Sequence, residues 1–105
     1  MKKSEIFKEI LSIVCDCAEL KECDVLNPRN RTSDVSIARC AIIGLSLEYG
    51  LTPKQTQEYM CLKSHSSVGY NSSQFDLLSK SNRPFKFLLS SVCHELDKTL
   101  PPDCR

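Results

Sequence analysis

Residues 61–68, which read CLKSHSSV, concentrate side chains that bind anions, bases or metals. A lysine carries positive charge, a histidine can donate or accept a hydrogen bond, and three serines bring small hydroxyl groups. If a helix begins within this stretch, its free N–H groups and these hydroxyls suit phosphate oxygens or the polar edges of bases. The alternative is a plain helix cap with a partly buried histidine and no ligand. The polar residues concerned are Lys63, Ser64, His65, Ser66 and Ser67.

Metal binding and nucleophilic catalysis are the other chemistries that this stretch raises. Cys61 and His65 have a C-x₃-H spacing, and Cys93 is followed by His94. Zinc sites usually show paired ligands two to four residues apart in both halves of the site, and the rest of the thiols are scattered. Cysteine–histidine catalysis needs a third orienting group and a pocket, and nothing in the sequence marks either. We therefore expect no metal, no cofactor and no enzymatic activity.

Length and composition indicate one small globular domain. The chain has 105 residues, 41% hydrophobic and 26% charged, with three glycines and no tryptophan, which disfavours both disorder and an all-β fold. Seven cysteines occur without a C-x-x-C pair. We recognise neither a signal peptide nor an apolar run of about 18 residues that would span a membrane. These features predict a cytoplasmic protein with reduced thiols, several of them buried as small hydrophobic residues.

Positive charge is concentrated in the middle of the chain. The overall net charge is +1, but residues 25–86 contain eight Lys or Arg and four Asp or Glu, a net of +4, and the two ends together carry −3. This asymmetry favours an anionic partner for the central region, and a solvated face with a small imbalance is the plainer interpretation.

Apolar residues recur at helical spacing in the first half of the chain, and no strand pattern is present. The first predicted helix covers residues 5–20, with Ser4 as its N-cap. The sequence CDVLNPRNRTSD predicts a loop with a short turn at Val25–Leu26. A second helix then begins at the Ser-Asp pair and ends at Gly50, a residue that favours the left-handed conformation of a helix C-cap.

The second half of the chain predicts three further helices. A capping box of the form T-P-x-Q at residues 52–55 begins a short helix that ends near Leu62. A longer helix begins after Ser64 and ends at the sequence SKSNRP, and Pro84 opens a last helix that ends near Lys98. The inward-facing positions expected for four of the five helices are Ile6, Ile10, Ile13, Val14, Cys17, Val35, Ala38, Ala41, Ile42, Leu45, Tyr49, Val68, Phe75, Leu78, Phe85, Leu88, Leu89, Val92 and Leu96.

A short capped helix, a tight break and a second helix with a polar first turn are typical of a helix-turn-helix. In that motif the second helix presents its first residues to base edges in the major groove of DNA. Residues 63–67 would form that tip, although the same outline fits any helix pair in a small bundle. We expect an all-α domain of about five helices over residues 1–105, with a core of about 5–98 and a tail at 99–105.

Two segments resemble the C-terminal, DNA-binding domain of the bacterial replication initiator DnaA, a Trp-repressor-like helix-turn-helix fold. The stretch KSHSSV, residues 63–68, is similar to the family's signature of a basic residue, an acid, a histidine, two hydroxyl residues and a valine. Upstream, DVLNPRNRTSDVSIARCAIIGL is similar to the family's basic loop and the long helix that bears "AR". The resemblance covers about residues 5–100.

The resemblance implies a role for each matched residue in binding double-stranded DNA. Arg29 and Arg31 match the loop whose arginines enter the minor groove. Ser64, His65 and Ser66 match the positions that read the major groove. The remaining expected contacts are to phosphates, and the full set is Arg29, Arg31, Arg39, Lys54, Lys63, Ser64, His65, Ser66 and Ser67. The implied function is sequence-selective DNA binding in replication or regulation of a chromosome, phage or mobile element.

The chain also departs from the family. Ser64 replaces an acid that can accept from a cytosine amino group, and Leu47 stands where the family usually has a lysine. No G-x-x-x-x-G-K-[ST] motif is present, so no nucleotide is expected. One alternative function is a protein–protein adaptor that kept the fold and lost the DNA contacts. Another is a stacking platform of tyrosines for single-stranded nucleic acid, against which core or boundary positions are the commoner interpretation. Its members would be Tyr49, Tyr59 and Tyr70.

Overall fold

A computed structural model describes residues 2–27, 29–30, 32–62 and 65–99, with the backbone alone for residues 65–67. The described chain forms helices without strands, which confirms the predicted all-α class. Six helices are present where the sequence predicts about five: α1 Lys3–Ala18, α2 Glu22–Leu26, α3 Ser33–Glu48, α4 Pro53–Tyr59, α5 His65–Ser81 and α6 Arg83–Thr99. None of the helices in these described ranges is long and apolar enough to cross a membrane.

Helix α3 is the centre of the domain, and it contacts α1, α2, α4 and α5. Its apolar residues are buried on nearly all sides, as is typical of a core helix, whereas α1 and α6 pair along one apolar face each. Of the nineteen positions that the sequence predicts to face inward, thirteen are buried in one hydrophobic core, and Val35 is also buried. The other five are only partly buried: Ile13, Cys17, Leu78, Leu88 and Leu89. Leu51 and Met60, which the sequence pattern did not single out, also belong to this core.

The extra helix, α2, lies where the sequence predicts only a turn. Its first turn carries Glu22 and Asp24, whose negative charges suit a helix N-terminus, and Val25 is fully buried in the core. Five residues are too few for a recognisable apolar period, so tertiary contacts stabilise a helix that local pattern does not reveal. The loop that remains between α2 and α3 consists of residues 27–32.

The end of α3 and the start of α4 lie where the sequence predicts them, whereas α3 begins at Ser33 after Thr32, without a side-chain cap bond from the predicted Ser33 or Asp34. The Thr52 hydroxyl accepts from the Gln55 N–H at 3.1 Å, and the Gln55 side chain accepts from the Thr52 N–H at 3.0 Å, which confirms the capping box of α4. Gly50 follows α3 with φ of +92°, as predicted for a C-cap glycine. Helix α1 begins before the predicted N-cap Ser4, because the Lys2 N–H donates to the Glu5 carboxylate at 3.4 Å.

The six described cysteines are free thiols. Cys15 and Cys40 are buried and act as small hydrophobic residues of the core, whereas Cys23 and Cys61 are exposed. Burial raises the pKa of both Cys15 and Cys40 from 9.0 to about 11, with the nearby carboxylates Glu22 and Asp16 adding to the shift at Cys15. Neither buried thiol is therefore a reactive thiolate near neutral pH.

Candidate nucleic-acid interface

The connection between α4 and α5 is a sharp turn. Helix α4 ends at Tyr59, three residues before the predicted end, because Cys61 adopts a left-handed conformation with φ of +58°. The N–H groups of Cys61 and Leu62 donate to the carbonyls of Glu58 and Gln57 at 3.2 and 3.0 Å, a pair of bonds that defines a Schellman C-cap. Helix α5 begins at His65.

Five of the predicted site residues lie in or beside this turn. The structure gives His65, Ser66 and Ser67 helical backbone in the first turn of α5, which agrees with the predicted start of this helix after Ser64. Lys63 and Ser64 lie outside the described residues, as do the side chains of His65, Ser66 and Ser67. Their expected contacts with DNA stay predictions.

Beyond its first turn, α5 has a buried face and an open face. Val68 and Phe75 are buried, and the Phe75 ring packs edge-to-face on Phe85 of α6 with ring centroids 5.8 Å apart. The open face consists of residues three and four positions apart that are exposed to solvent: Gly69, Tyr70, Ser73, Asp76, Leu77 and Lys80. Ser66 precedes Tyr70 by four residues and Ser73 by seven, so its backbone position continues this open face towards the start of α5.

Two asparagines shape the loop that precedes α3. The Asn27 side-chain oxygen accepts from the Arg29 N–H at 3.0 Å, and the Asn30 side-chain oxygen accepts from the Thr32 N–H at 3.3 Å. Both are Asx turns, in which a side chain replaces a backbone carbonyl and tightens the chain. Arg29 is exposed, as a groove-inserting arginine requires, and Arg31 lies outside the described residues.

Arg39, a predicted phosphate contact, is directed at this loop. Its Nε and Nη2 atoms donate to the Val25 carbonyl at 3.2 and 3.0 Å. The same Nη2 donates to the Asn27 carbonyl at 2.9 Å and the Asn30 carbonyl at 3.2 Å. The guanidinium is therefore half-buried against the end of α2 and the loop, a contact that sequence spacing does not reveal.

The basic residues of the central region are open to solvent. Lys54, predicted to contact phosphate, is exposed in the first turn of α4. Exposed Lys80, Arg83 and Lys86 lie around the junction of α5 and α6, and sequence reasoning did not place them in the site. Among the described residues, an ion pair joins Lys98 and Glu95 at 3.8 Å at the C-terminal end of α6, and it involves none of these four cations. The four exposed cations named above thus remain available to an anionic partner.

The three tyrosines proposed to stack on single-stranded nucleic acid do not form a common exposed surface. Tyr49 is buried in the core, and the Tyr59 ring packs on Phe7 with centroids 5.2 Å apart. Tyr70 alone of the three is exposed, so core positions are the correct interpretation for two of them. Among the described side chains, no group of three His, Cys, Asp or Glu residues is arranged to hold a metal ion.

Three large apolar side chains are exposed among the described residues, and the sequence pattern singles out only Tyr70 of the three. Tyr70 is 66% exposed and Leu77 57% exposed on the open face of α5, and Phe87 is 77% exposed on α6. Single exposed apolar residues are common on soluble proteins, but Tyr70 and Leu77 follow the backbone position of Ser66 at helical spacing along α5.

Comparison with known proteins adds no relative to this description. No family model, no curated protein and no solved structure matches the chain.

Proposed function

We propose that the protein binds double-stranded DNA sequence-selectively, through α4 and α5 as a helix-turn-helix and through the loop at residues 27–32. The start of α5 would enter the major groove, and Arg29 and Arg31 would enter the adjacent minor groove. This proposal combines the KSHSSV signature and its resemblance to the initiator family with the arrangement of the described helices.

The observation that carries the proposal is that consecutive residues of α3 hold both candidate elements. The Arg39 guanidinium donates to the backbone carbonyls of Val25 and Asn27 at the start of the loop. The thiol of the next residue, Cys40, donates to the Asn71 carbonyl of α5 at 3.2 Å. Successive residues of a helix are separated by a rise of about 1.5 Å, so α5 and the loop are fixed to the same turn of α3. A buried helix thus presents a polar helix start and a basic loop as one rigid unit, which is what simultaneous reading of two grooves needs.

Charge and surface chemistry agree with this use. The exposed cations Arg29, Lys54, Lys80 and Arg83 supply the sequence-independent attraction to phosphates. Free N–H groups at the start of α5 and the hydroxyls of Ser66 and Ser67 suit phosphate or base edges. Arginine gains from the negative potential of a narrow, A·T-rich minor groove. The free thiols suit the cytoplasm, where we place a role in replication or regulation of a chromosome, phage or mobile element.

Selection of bound duplexes from a random pool tests the proposal directly. We expect an enriched motif with an A·T-rich flank. A protein with about four to six phosphate contacts should also lose affinity steeply between 50 and 200 mM salt. Failure to shift any duplex at low salt would exclude DNA binding by this chain.

A protein–protein adaptor of the same fold is the second candidate. Exposed Tyr70, Leu77 and Phe87 favour it, since aromatic side chains are enriched in protein interfaces. The two functions respond differently to one variant. Leu77→Ser should weaken a protein contact through α5, whereas a residue three turns from the helix start should have little effect on groove reading.

A further inference from the structure

We propose that Arg39 is a positioning residue: it holds the loop at residues 27–32 in the shape that presents Arg29 to DNA and does not itself contact phosphate. This inference rests on the proposed DNA-binding function and deepens it. It differs from the expectation that Arg39 contacts the phosphate backbone, which the resemblance to the initiator family implies.

The guanidinium joins three backbone carbonyls that lie 9 to 14 residues before Arg39 in the sequence. Val25 belongs to the last turn of α2, Asn27 is the residue that caps it, and Asn30 is within the loop. Their carbonyl oxygens lie 2.9–3.2 Å from the Arg39 nitrogen atoms, all within hydrogen-bond distance. A single side chain on α3 thus fixes where α2 ends and where the loop turns towards α3.

The hydrogen bonds from Arg39 also stabilise the carbonyl groups that accept them. The last C=O groups of a helix have no partner within the helix, and a half-buried carbonyl without a donor is costly. A cation at the C-terminal end of α2 also meets the negative end of the helix dipole. Because Nε and Nη2 bond to these carbonyls, a phosphate contact through either atom would require Arg39 to leave carbonyls that it already satisfies.

The planar guanidinium presents several donors in fixed directions, and this geometry is specific to arginine. Lysine has the same charge but a single ammonium on a flexible stem, so it cannot hold all three carbonyls in the same way. A phosphate contact depends mainly on the positive charge, whereas loop positioning depends on several donors held in fixed directions. The variants Arg39→Lys and Arg39→Ala therefore separate the two roles.

The DNA experiment is a double-mutant cycle between residues 39 and 29, measured by fluorescence anisotropy on the selected duplex. A positioning role predicts that Arg39→Lys and Arg39→Ala weaken binding alike, by about tenfold, the effect of losing well-placed charged contacts. In an Arg29→Ala background, the same substitutions should cause much less further loss, because the loop arginine they position is gone. Lys54→Ala is the matched control, and its effect should add to that of Arg29→Ala.

A second experiment detects changes in the loop conformation without DNA. In amide NMR spectra, Arg39→Lys should shift the resonances of Arg29 and Asn30 while those of α6 stay in place. Asn27→Ala removes an Asx turn from the exposed side of the loop and should reduce DNA affinity in the same way, at little cost in stability. Thermal melts of each variant separate a misplaced loop from an unfolded domain.

Each outcome decides a different statement. The positioning role would be overturned if Arg39→Lys kept full DNA affinity and the losses caused by Arg39→Ala and Arg29→Ala were additive. Arg39 would then be a phosphate contact. Shifted loop resonances with no DNA binding by the wild type would leave the loop contact in place and reject the proposed function. Unshifted loop resonances in Arg39→Lys would reject the positioning role whatever the DNA result.

Discussion

Gly44 of α3 lies directly beneath the ring of Phe75 of α5. A Cβ placed on Gly44 would overlap three carbon atoms of that ring, so only glycine allows this approach of ring and helix backbone. Phe75 is in turn packed on Phe85, which joins α5 to α6. The glycine therefore sets how closely the candidate recognition helix packs against the centre of the domain.

Gly44→Ala should destabilise the domain even though alanine favours helix formation. The new methyl group displaces an aromatic ring held on two sides, and overpacking of this kind costs about 1–3 kcal/mol. Chemical denaturation measures the loss. In DNA-binding assays the folded variant should also lose sequence selectivity, because α5 must shift relative to the loop. Unchanged stability would show that the ring moves aside without cost.

Gly69→Ala provides the matched comparison on the open face of α5. Nothing lies within 4 Å of a Cβ built at this position, and the residue is exposed. A helix gains about 0.5–1 kcal/mol when an exposed interior glycine becomes alanine. We therefore expect a raised free energy of unfolding in the same denaturation assay. A loss of DNA affinity in this stabilised protein would indicate that the bare backbone at residue 69 approaches the DNA closely.

Cys61→Gly should stabilise the turn before α5. Cys61 has φ of +58°, a conformation that costs an L-residue with a Cβ about 1 kcal/mol and glycine almost nothing. Cys61→Ala, which removes the same exposed thiol but keeps a Cβ at this positive φ, is the control for loss of a sulfur. Equal melting temperatures for Cys61→Gly and the wild type would argue against strain at this turn.

The buried thiols predict a loss of stability at alkaline pH. The pKa of Cys15 and Cys40 is about 11 in the folded protein against 9.0 for an unperturbed thiol, mainly because burial disfavours the thiolate. A raised pKa means that the folded state binds the proton more tightly, so this stability is fully present below pH 9.0 and is lost as the pH rises towards about 11. Urea denaturation under reducing conditions should show a smaller alkaline decline in Cys15→Ala/Cys40→Ala than in the wild type. If the double variant and the wild type lost the same stability at alkaline pH, other ionisable groups would be responsible for the loss.

The contrast between Thr52 and Arg39 explains which features could be predicted from the sequence. A capping box is local, because Thr52 and Gln55 are three residues apart and their types alone indicate the bonds. Arg39 instead bonds to backbone carbonyls 9 to 14 residues away, and a carbonyl has no residue type to recognise. The Gly44–Phe75 contact and α2 likewise depend on tertiary packing. Caps and periodic faces were therefore predictable, whereas the contacts that orient the candidate site were not.

Val68 and His65 are three residues apart at the start of α5, and the proposed docking gives them opposite roles. Val68 is 2% exposed and belongs to the core, as the sequence predicts. Val68→Ala leaves a cavity and should destabilise the fold by about 1–3 kcal/mol. His65→Ala should leave the melting temperature nearly unchanged but weaken binding to the selected site by about 1–3 kcal/mol, with much less effect on random DNA.

Ser64→Asp extends this test to the determinant of sequence preference. A carboxylate can accept a hydrogen bond from the cytosine amino group, whereas it repels phosphates, so the variant should gain selectivity and lose non-specific affinity. In the initiator-like docking, its selected motif should shift towards the box that the DnaA family reads. Competition with random duplexes at fixed salt separates the two effects. A His65→Ala protein that unfolds, or footprints that respond to neither residue 64 nor residue 65, would reject α5 as the helix that reads the DNA.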